Sequence, residues 1–104
     1  SEAAILGTPA IFINNARLSY TIEQEEKYGL TFNYTESNED QLKSVNKALA
    51  LVQHNDLKKE SLVKRDVMLT ENVNITAFLV WFVENYPQSK EIMKENPDYQ
   101  YNFK

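Results

Sequence analysis

Few residues in this chain are suited to acid–base or nucleophilic chemistry. His54 is the single histidine among 104 residues, so a serine–histidine–acid arrangement would have to include it. The serines that could stand beside it are Ser37, Ser44, Ser61 and Ser89. None of them lies in a glycine-rich turn of the kind that exposes a nucleophile, because the chain has only two glycines. We therefore interpret His54 as a surface residue at the end of a helix.

The acidic residues and the absence of cysteine also weigh against a metal or redox site. With no cysteine and one histidine, mainly carboxylates remain as ligands, and these suit hard cations such as calcium. The clusters Glu23–Glu26 and Glu36–Asp40 lack the spacing and central glycine of a calcium loop, so we interpret them as solvated surface. Glu84 directly follows an apolar segment, which a helix end reaching solvent explains. The sequence therefore predicts no metal, no cofactor and no enzymatic activity.

Charge is segregated along the chain, whose formal net charge is -4. Residues 43–65 carry six basic residues against two acidic ones, and the segments on either side are acidic. The basic residues are Lys43, Lys47, Lys58, Lys59, Lys64 and Arg65. Such clusters bind nucleic-acid phosphates, and they also suit a protein partner with acidic surfaces. Both kinds of partner are open from the sequence, as is head-to-tail self-association.

Aromatic residues make up 12% of the chain, which is more than a core of this size must absorb. Three of them lie in a C-terminal segment with little else to bury them: Tyr99, Tyr101 and Phe103. Exposed aromatic side chains commonly mark an interface. We expect this segment either to bind a partner or to fold back over the rest of the domain.

The N-terminal third of the chain is predicted to form short strands. Ala10–Ile13 is predicted as a strand, Asn14-Asn15 as a tight hairpin turn, and residues 16–22 as a second strand with alternating apolar residues. Leu30–Tyr34 alternates in the same way and predicts a third strand. The first third of the chain is therefore predicted to form a small antiparallel sheet of about three strands.

Helices are predicted for the rest of the chain. Ser37 can cap a helix that has Asp40 in its first turn. Four apolar residues recur in it at helical spacing and are expected to face the core: Leu42, Val45, Leu49 and Val52. Lys43 and Lys47 then lie on the solvent side. A second helix is predicted to start near Asp56.

The segment Ile75–Val83 is apolar throughout, contains the only tryptophan, Trp81, and is too short for a membrane span of about 20 residues. A helix that is apolar on every side must be enclosed, so we expect the core to form around Trp81. Pro87 ends this helix, and a short further helix is predicted to end at Glu95. The predicted architecture is a single α+β domain at residues 9–95, with the antiparallel sheet packed against three or four helices. A flexible arm at residues 1–8 and a tail at residues 96–104 flank it.

These patterns predict a non-enzymatic module for protein interaction, regulation or assembly. It would bind a protein partner through the exposed aromatic residues and the basic stretch Lys43–Arg65. The alternative is a nucleic-acid-binding domain that uses the same stretch. No membrane association is expected. Because the chain has no cysteine and shows no signal peptide, we expect an intracellular location.

Overall fold

The computed structural model describes all 104 residues, which divide into two compact units, Ser1–Val67 and Met68–Lys104. In chain order the elements are α1 (Glu2–Ile5), β1 (Ala10–Ile13), α2 (Ser19–Glu26), β2 (Thr31–Tyr34), α3 (Asn38–Gln53), α4 (Leu57–Glu71), α5 (Ile75–Glu84), α6 (Gln88–Glu95) and a C-terminal 3-10 helix (Pro97–Phe103). This mixture of helix and strand agrees with the predicted α+β class.

The sheet differs from the prediction. It has two strands, and they are parallel, with Ala10 opposite Thr31 and Ile13 opposite Tyr34. Most of the predicted strand at residues 16–22 belongs to α2 instead, so the predicted antiparallel sheet of three strands is wrong. The reason lies in the helix formers at residues 23–26, which extend this segment into a crossover helix, as a parallel connection requires.

The predicted hairpin turn is also absent, and its asparagines have another role. Asn14 Oδ1 accepts a hydrogen bond from the backbone N–H of Ala16 at 2.8 Å. No residue other than glycine has a positive φ, whereas two-residue hairpin turns need at least one such residue. Asn14 therefore directs the chain from β1 towards α2.

Helix α2 contacts β2, and α3 contacts both strands. Thr31 Oγ1 donates a hydrogen bond to Gln24 of α2 at 3.1 Å. The next residue, Phe32, faces α3, where the ammonium of Lys47 lies 4.1 Å from the ring centroid. Because successive strand residues point to opposite faces, the helices lie on the two sides of the sheet. Leu30, which directly precedes β2, is fully buried.

Two glycines end the helices that precede the strands. Gly7 follows α1 with a φ of 65°, and Gly29 follows α2 with a φ of 63°, a conformation that other residues adopt at a cost. The N–H of Gly29 donates to the carbonyl of Glu25 at 2.9 Å. Ala4 of α1 is fully buried, and Gly7 lies against Leu62 of α4. The first eight residues thus include a packed helical turn.

The predicted cap of α3 is confirmed, and α5 also begins with a side-chain cap. Ser37 Oγ accepts a hydrogen bond from the N–H of Asp40 at 3.2 Å and caps α3. Asn74 Oδ1 accepts one from the N–H of Ala77 at 3.0 Å and caps α5. These bonds satisfy backbone donors that the first turn leaves unpaired.

In the second unit, α5 packs on the C-terminal 3-10 helix through aromatic rings. Trp81 stacks on Tyr99 with ring centroids 4.8 Å apart, and Phe103 lies 5.2 Å from Trp81. The N–H of Asn74 also donates to the carbonyl of Phe103 at 2.6 Å. The C-terminal segment therefore folds back onto α5.

The expectation that the core encloses α5 is wrong, because no residue of this helix is buried. Trp81 and Phe82 are half-buried on the aromatic side, whereas Leu79 is 53% exposed and Val83 is 71% exposed. Within the second unit, α6 and the C-terminal 3-10 helix contact α5, and they cover one side of it only.

Candidate protein-interaction surface

Helix α3 buries mainly small and polar residues and leaves most of its large apolar residues exposed, with Leu51 as the half-buried exception. Ser44 is buried on the packed side, and Lys47 and Ala48 are half-buried beside it. The apolar residues form a stripe that is 52–78% exposed, which we call the α3 stripe: Leu42, Val45, Leu49 and Val52. The prediction that this stripe faces the core is therefore wrong, and so is the solvent position predicted for Lys47.

The residues on the packed side explain this orientation. Ser44 and Ala48 are small, so the helix can approach the strands closely. Ser44 Oγ donates to the carbonyl of Gln41 at 2.7 Å, which leaves no unsatisfied hydroxyl in the buried position. Lys47 places its ammonium over the ring of Phe32. The packed side thus comprises Ser44, Lys47, Ala48 and the half-buried Leu51, and it does not include the α3 stripe.

The α3 stripe has the spacing of a short coiled-coil seam. Its residues follow one another at intervals of three, four and three positions, which correspond to the a and d positions of two heptads. Most of its neighbours on the helix surface are uncharged, namely Gln41, Asn46, Ala48 and Gln53, and the charged one is Glu39, which pairs with Lys43. An exposed apolar seam with mostly neutral flanks is suited to binding another helix.

The two basic residues of α3 are engaged within the molecule. The ammonium of Lys43 lies 2.9 Å from a carboxylate oxygen of Glu39 and 3.6 Å from one of Asp40. These contacts, led by the hydrogen bond to Glu39, raise the pKa of Lys43 above its ordinary value of 10.5. Lys47 contacts Phe32, as described above. Neither lysine lies on the α3 stripe.

Asp40 connects the start of α3 to the end of β2. The N–H and the hydroxyl of Thr35 donate to Asp40 Oδ2 at 2.9 and 2.8 Å. These hydrogen bonds lower the pKa of the Asp40 carboxyl below its ordinary value of 3.8, and Lys43 lowers it further. A carboxylate held in this way is ionised at neutral pH and serves to anchor the helix.

The basic residues of α4 have different surroundings. Lys58 Nζ donates to the carbonyl of Leu6 at 3.1 Å, and Arg65 donates twice to Asp66, at 2.9 and 2.7 Å. Lys59 and Lys64 are exposed, and both line a shallow hollow together with Val63 and other α4 residues. Asp56 and Glu60 line the same hollow, so Lys59 and Lys64 are exposed beside acidic groups of the chain itself.

The three C-terminal aromatic residues are divided between packing and exposure. Tyr99 and Phe103 are half-buried and contact Trp81. Tyr101 is 53% exposed, and the ammonium of Lys104 lies 5.4 Å from its ring centroid. Tyr101 is therefore the aromatic residue of this segment that offers its ring to solvent.

Helix α5 presents a second apolar surface in the second unit. Leu79, Val80 and Val83 line a shallow hollow of about 340 Å³ together with Glu84. All three apolar residues are more than half exposed. Nothing in the structure indicates what covers this hollow.

A cleft of about 260 Å³ lies at the carboxyl ends of the parallel strands, where α/β sheets commonly bind ligands. Arg17 and Glu26 lie on its wall. Its other carboxylates accept hydrogen bonds from the chain itself: Glu25 from Asn33, and Asp40 from Thr35. The acidic groups of this cleft therefore hold the strand ends to the helices.

His54 lies at the end of α3, as predicted, and it contacts an acid rather than a nucleophile. Its Nε2 is 2.8 Å from a carboxylate oxygen of Glu60, and both side chains are about half exposed. Of the serines considered above, Ser37 Oγ and Ser44 Oγ hydrogen-bond within α3 or at its start, and Ser89 Oγ donates to the carbonyl of Phe82. The structure brings none of these hydroxyls into hydrogen-bonding contact with His54.

By length and composition alone, the stretch Leu57–Glu84 is apolar enough to cross a membrane. It comprises α4 and α5, and residues 72–74 between them are not helical. Glu71, Asn72 and Asn74 lie at this junction. In a membrane, these polar side chains and the non-helical backbone of residues 72–74 would lie in hydrocarbon, which is unfavourable.

No protein-family model matches this chain, and no curated protein or solved structure matches it. The function must therefore be argued from the surfaces described above.

Proposed function

We propose that this chain is a non-enzymatic interaction module that binds a protein partner through the α3 stripe. The observation that carries the proposal is the orientation of α3. Leu42, Val45, Leu49 and Val52 are at least half exposed, although the same helix has a separate packed side around the buried Ser44. Exposure of four apolar side chains on one helix face to water is unfavourable, and covering them with another surface is favourable.

The partner's expected chemistry follows from the surroundings of the stripe. Apart from Glu39, which pairs with Lys43, its flanks are amides and alanine, so the contact is mainly apolar and neutral. Lys59 and Lys64 on α4 are available to acidic groups of a partner, as the basic stretch of the sequence predicts. Tyr101 offers an exposed aromatic ring in the second unit. We expect the apolar stripe to supply affinity, and the charges to influence orientation and association rate.

The non-enzymatic part of the proposal rests on the titratable groups. His54 is half exposed and lies beside Glu60. Asp40 and Lys43 have pKa values displaced away from neutrality, which favours fixed charges over proton transfer. These side chains are arranged as helix caps and surface ion pairs.

The proposal is tested with two variants that make the same charge change at neighbouring positions. Leu49→Lys places a charge in the stripe, and Ala50→Lys places it at an exposed position outside the stripe. Proteins captured on the immobilised chain are identified by mass spectrometry, and binding of each purified candidate is then measured by calorimetry. We expect Leu49→Lys to weaken binding by about tenfold or more and Ala50→Lys to leave it within about twofold.

Equal binding by both variants would refute the α3 stripe as the interaction surface. Repeating the measurement at low and high salt separates the alternative function. If capture requires nucleic acid, falls steeply with salt, and is lost in a Lys59→Glu and Lys64→Glu variant, the chain is a nucleic-acid-binding domain instead.

A further inference from the structure

We infer that the partner of the α3 stripe is a second copy of this chain, and that two α3 helices pair antiparallel about a two-fold axis. This inference rests on the proposed function and specifies its occupant. It is carried by the order of residues along the stripe, by flanks that bring no like charges together, and by the polar residues that bound the seam.

The order of residues makes the stripe complementary to itself when it is reversed. In the antiparallel register, Leu42 of one copy lies opposite Val52 of the other, and Val45 lies opposite Leu49. Each of the four layers then contains one leucine and one valine, so all layers have the same volume. A parallel pair would instead alternate two leucines with two valines. An isologous interface requires this kind of self-complementarity.

The flanks permit two identical helices to approach. In the antiparallel pair, Asn46 lies near Asn46 of the second copy, and Ala48 lies near Ala48 on the other side of the seam. No like charges meet at these positions, and two amides can hydrogen-bond to each other. The acidic first turn of α3 does not oppose the same turn of the second copy, because the helices run in opposite directions.

The positions that bound the seam select this register. The next heptad positions beyond the stripe are Asn38 at the start of α3 and Asp56 just after its end. A shift by one heptad would place apolar side chains against these polar residues and leave others uncovered. All four apolar positions of both helices are covered only in the register described above.

The expected dimer is weak. The contact comprises one helix of 16 residues from each copy, and an interface of this size falls below the roughly 1,200 Å² of specific, stable complexes. The molecular mass should therefore rise with protein concentration rather than correspond to a dimer throughout.

The first experiment measures the mass by sedimentation equilibrium over about a hundredfold range of concentration, with the variants Leu49→Lys and Ala50→Lys. In the antiparallel pair the two copies of position 49 are offset by four residues, or about 6 Å along the axis. Two lysines there would lie close together in the seam. We expect Ala50→Lys to dimerise as the original chain does and Leu49→Lys to dimerise at least about tenfold more weakly.

The second experiment tests the orientation. Because the chain has no cysteine, single cysteines report unambiguously. In the antiparallel pair the two copies of Asn46→Cys lie close together beside the two-fold axis. Gln53→Cys has the same heptad position but lies opposite residue 39 of the second copy, so the two copies of position 53 are about 21 Å apart along the helix axis. A short bifunctional thiol reagent should therefore cross-link Asn46→Cys and spare Gln53→Cys. Equal cross-linking at both positions would indicate a parallel pair and overturn the proposal.

A mass that stays monomeric over the whole range would overturn self-pairing. If such a monomer still binds another protein in a manner that Leu49→Lys abolishes, the proposed interaction function stands and only its occupant changes. A dimer that Leu49→Lys does not weaken would show that the copies associate elsewhere, which also overturns the inference. Circular dichroism of the variants establishes that each remains folded.

Discussion

The orientation of α3 makes a quantitative prediction for two leucines of the first unit. Leu30 is fully buried, whereas Leu42 is 69% exposed. Truncation of a fully buried leucine to alanine costs about 2–5 kcal/mol, so Leu30→Ala should lose stability in that range. Complete burial of a leucine is worth about 1.5–3 kcal/mol. Because Leu42 is buried over only about a third of its surface, Leu42→Ala should cost about 0.5–1 kcal/mol.

The assay is urea unfolding followed by far-ultraviolet circular dichroism, with the transition midpoints compared at equal slope. Both variants are measured in a Leu49→Lys background, so that pairing of α3 does not add to the stability of Leu42. Backbone hydrogen bonds of Leu30 to Gln24 and Ala10 are retained in the alanine variant. A loss above about 2 kcal/mol for Leu42→Ala would refute the outward orientation of the stripe, because only a buried leucine has that effect.

Three further predictions concern the helix ends. Gly29→Ala should lower the free energy of unfolding by about 1 kcal/mol, because alanine is strained at a φ of 63° but its Cβ meets no close atom. Gly7→Ala should lower it by about 1–3 kcal/mol more, because the added Cβ would lie 2.7 Å from Leu62 Cδ2. The free energy of unfolding should decrease as the pH falls below 3.8. The pKa of Asp40 is lower in the folded chain than its ordinary value of 3.8, so its ionised carboxylate stabilises the fold above pH 3.8, and this contribution is lost as the pH falls through the folded-state pKa. Asn74→Ala should lose about 0.5–2 kcal/mol, because the cap of α5 is removed.

Each of these predictions has its own control. Urea midpoints compare the two glycine variants directly, and equal losses would show that Leu62 does not restrict position 7. The variant Asp40→Asn should flatten the acid side of the stability curve, so an unchanged curve would contradict the role assigned to Asp40. Asn74→Asp retains an acceptor at the cap, and it should preserve most of the stability that Asn74→Ala loses.

The sequence predicted the helices well where caps and periodicity act locally. Ser37 and Asn74 are side-chain caps that work through neighbouring backbone groups, so their effect is visible in the sequence. β1 and β2 were also predicted as strands. The direction of β2 was not, because alternation describes each strand alone, whereas pairing depends on whether the connection folds as a turn or a helix.

The surface was harder to predict because helical spacing does not specify what a helix face meets. The spacing of Leu42 and Val45 identified the stripe correctly, but Ser44 and Lys47 occupy the packed side. The inward position of Lys47 could not be predicted from the sequence, because it depends on the ring of Phe32, over which the ammonium of Lys47 lies. Similarly, the apolar character of α5 predicts a need for burial but not how much of the chain is available to cover it.

The central claim is that α3 presents its apolar stripe to solvent in the monomer, and thiol reactivity tests it most directly. The chain has no cysteine, so Leu49→Cys and Ser44→Cys each provide a single reporter on opposite sides of the helix. In dilute solution Leu49→Cys should react with a thiol reagent almost as fast as in urea, and Ser44→Cys should be strongly protected. Protection of position 49 together with rapid reaction of position 44 would contradict the account.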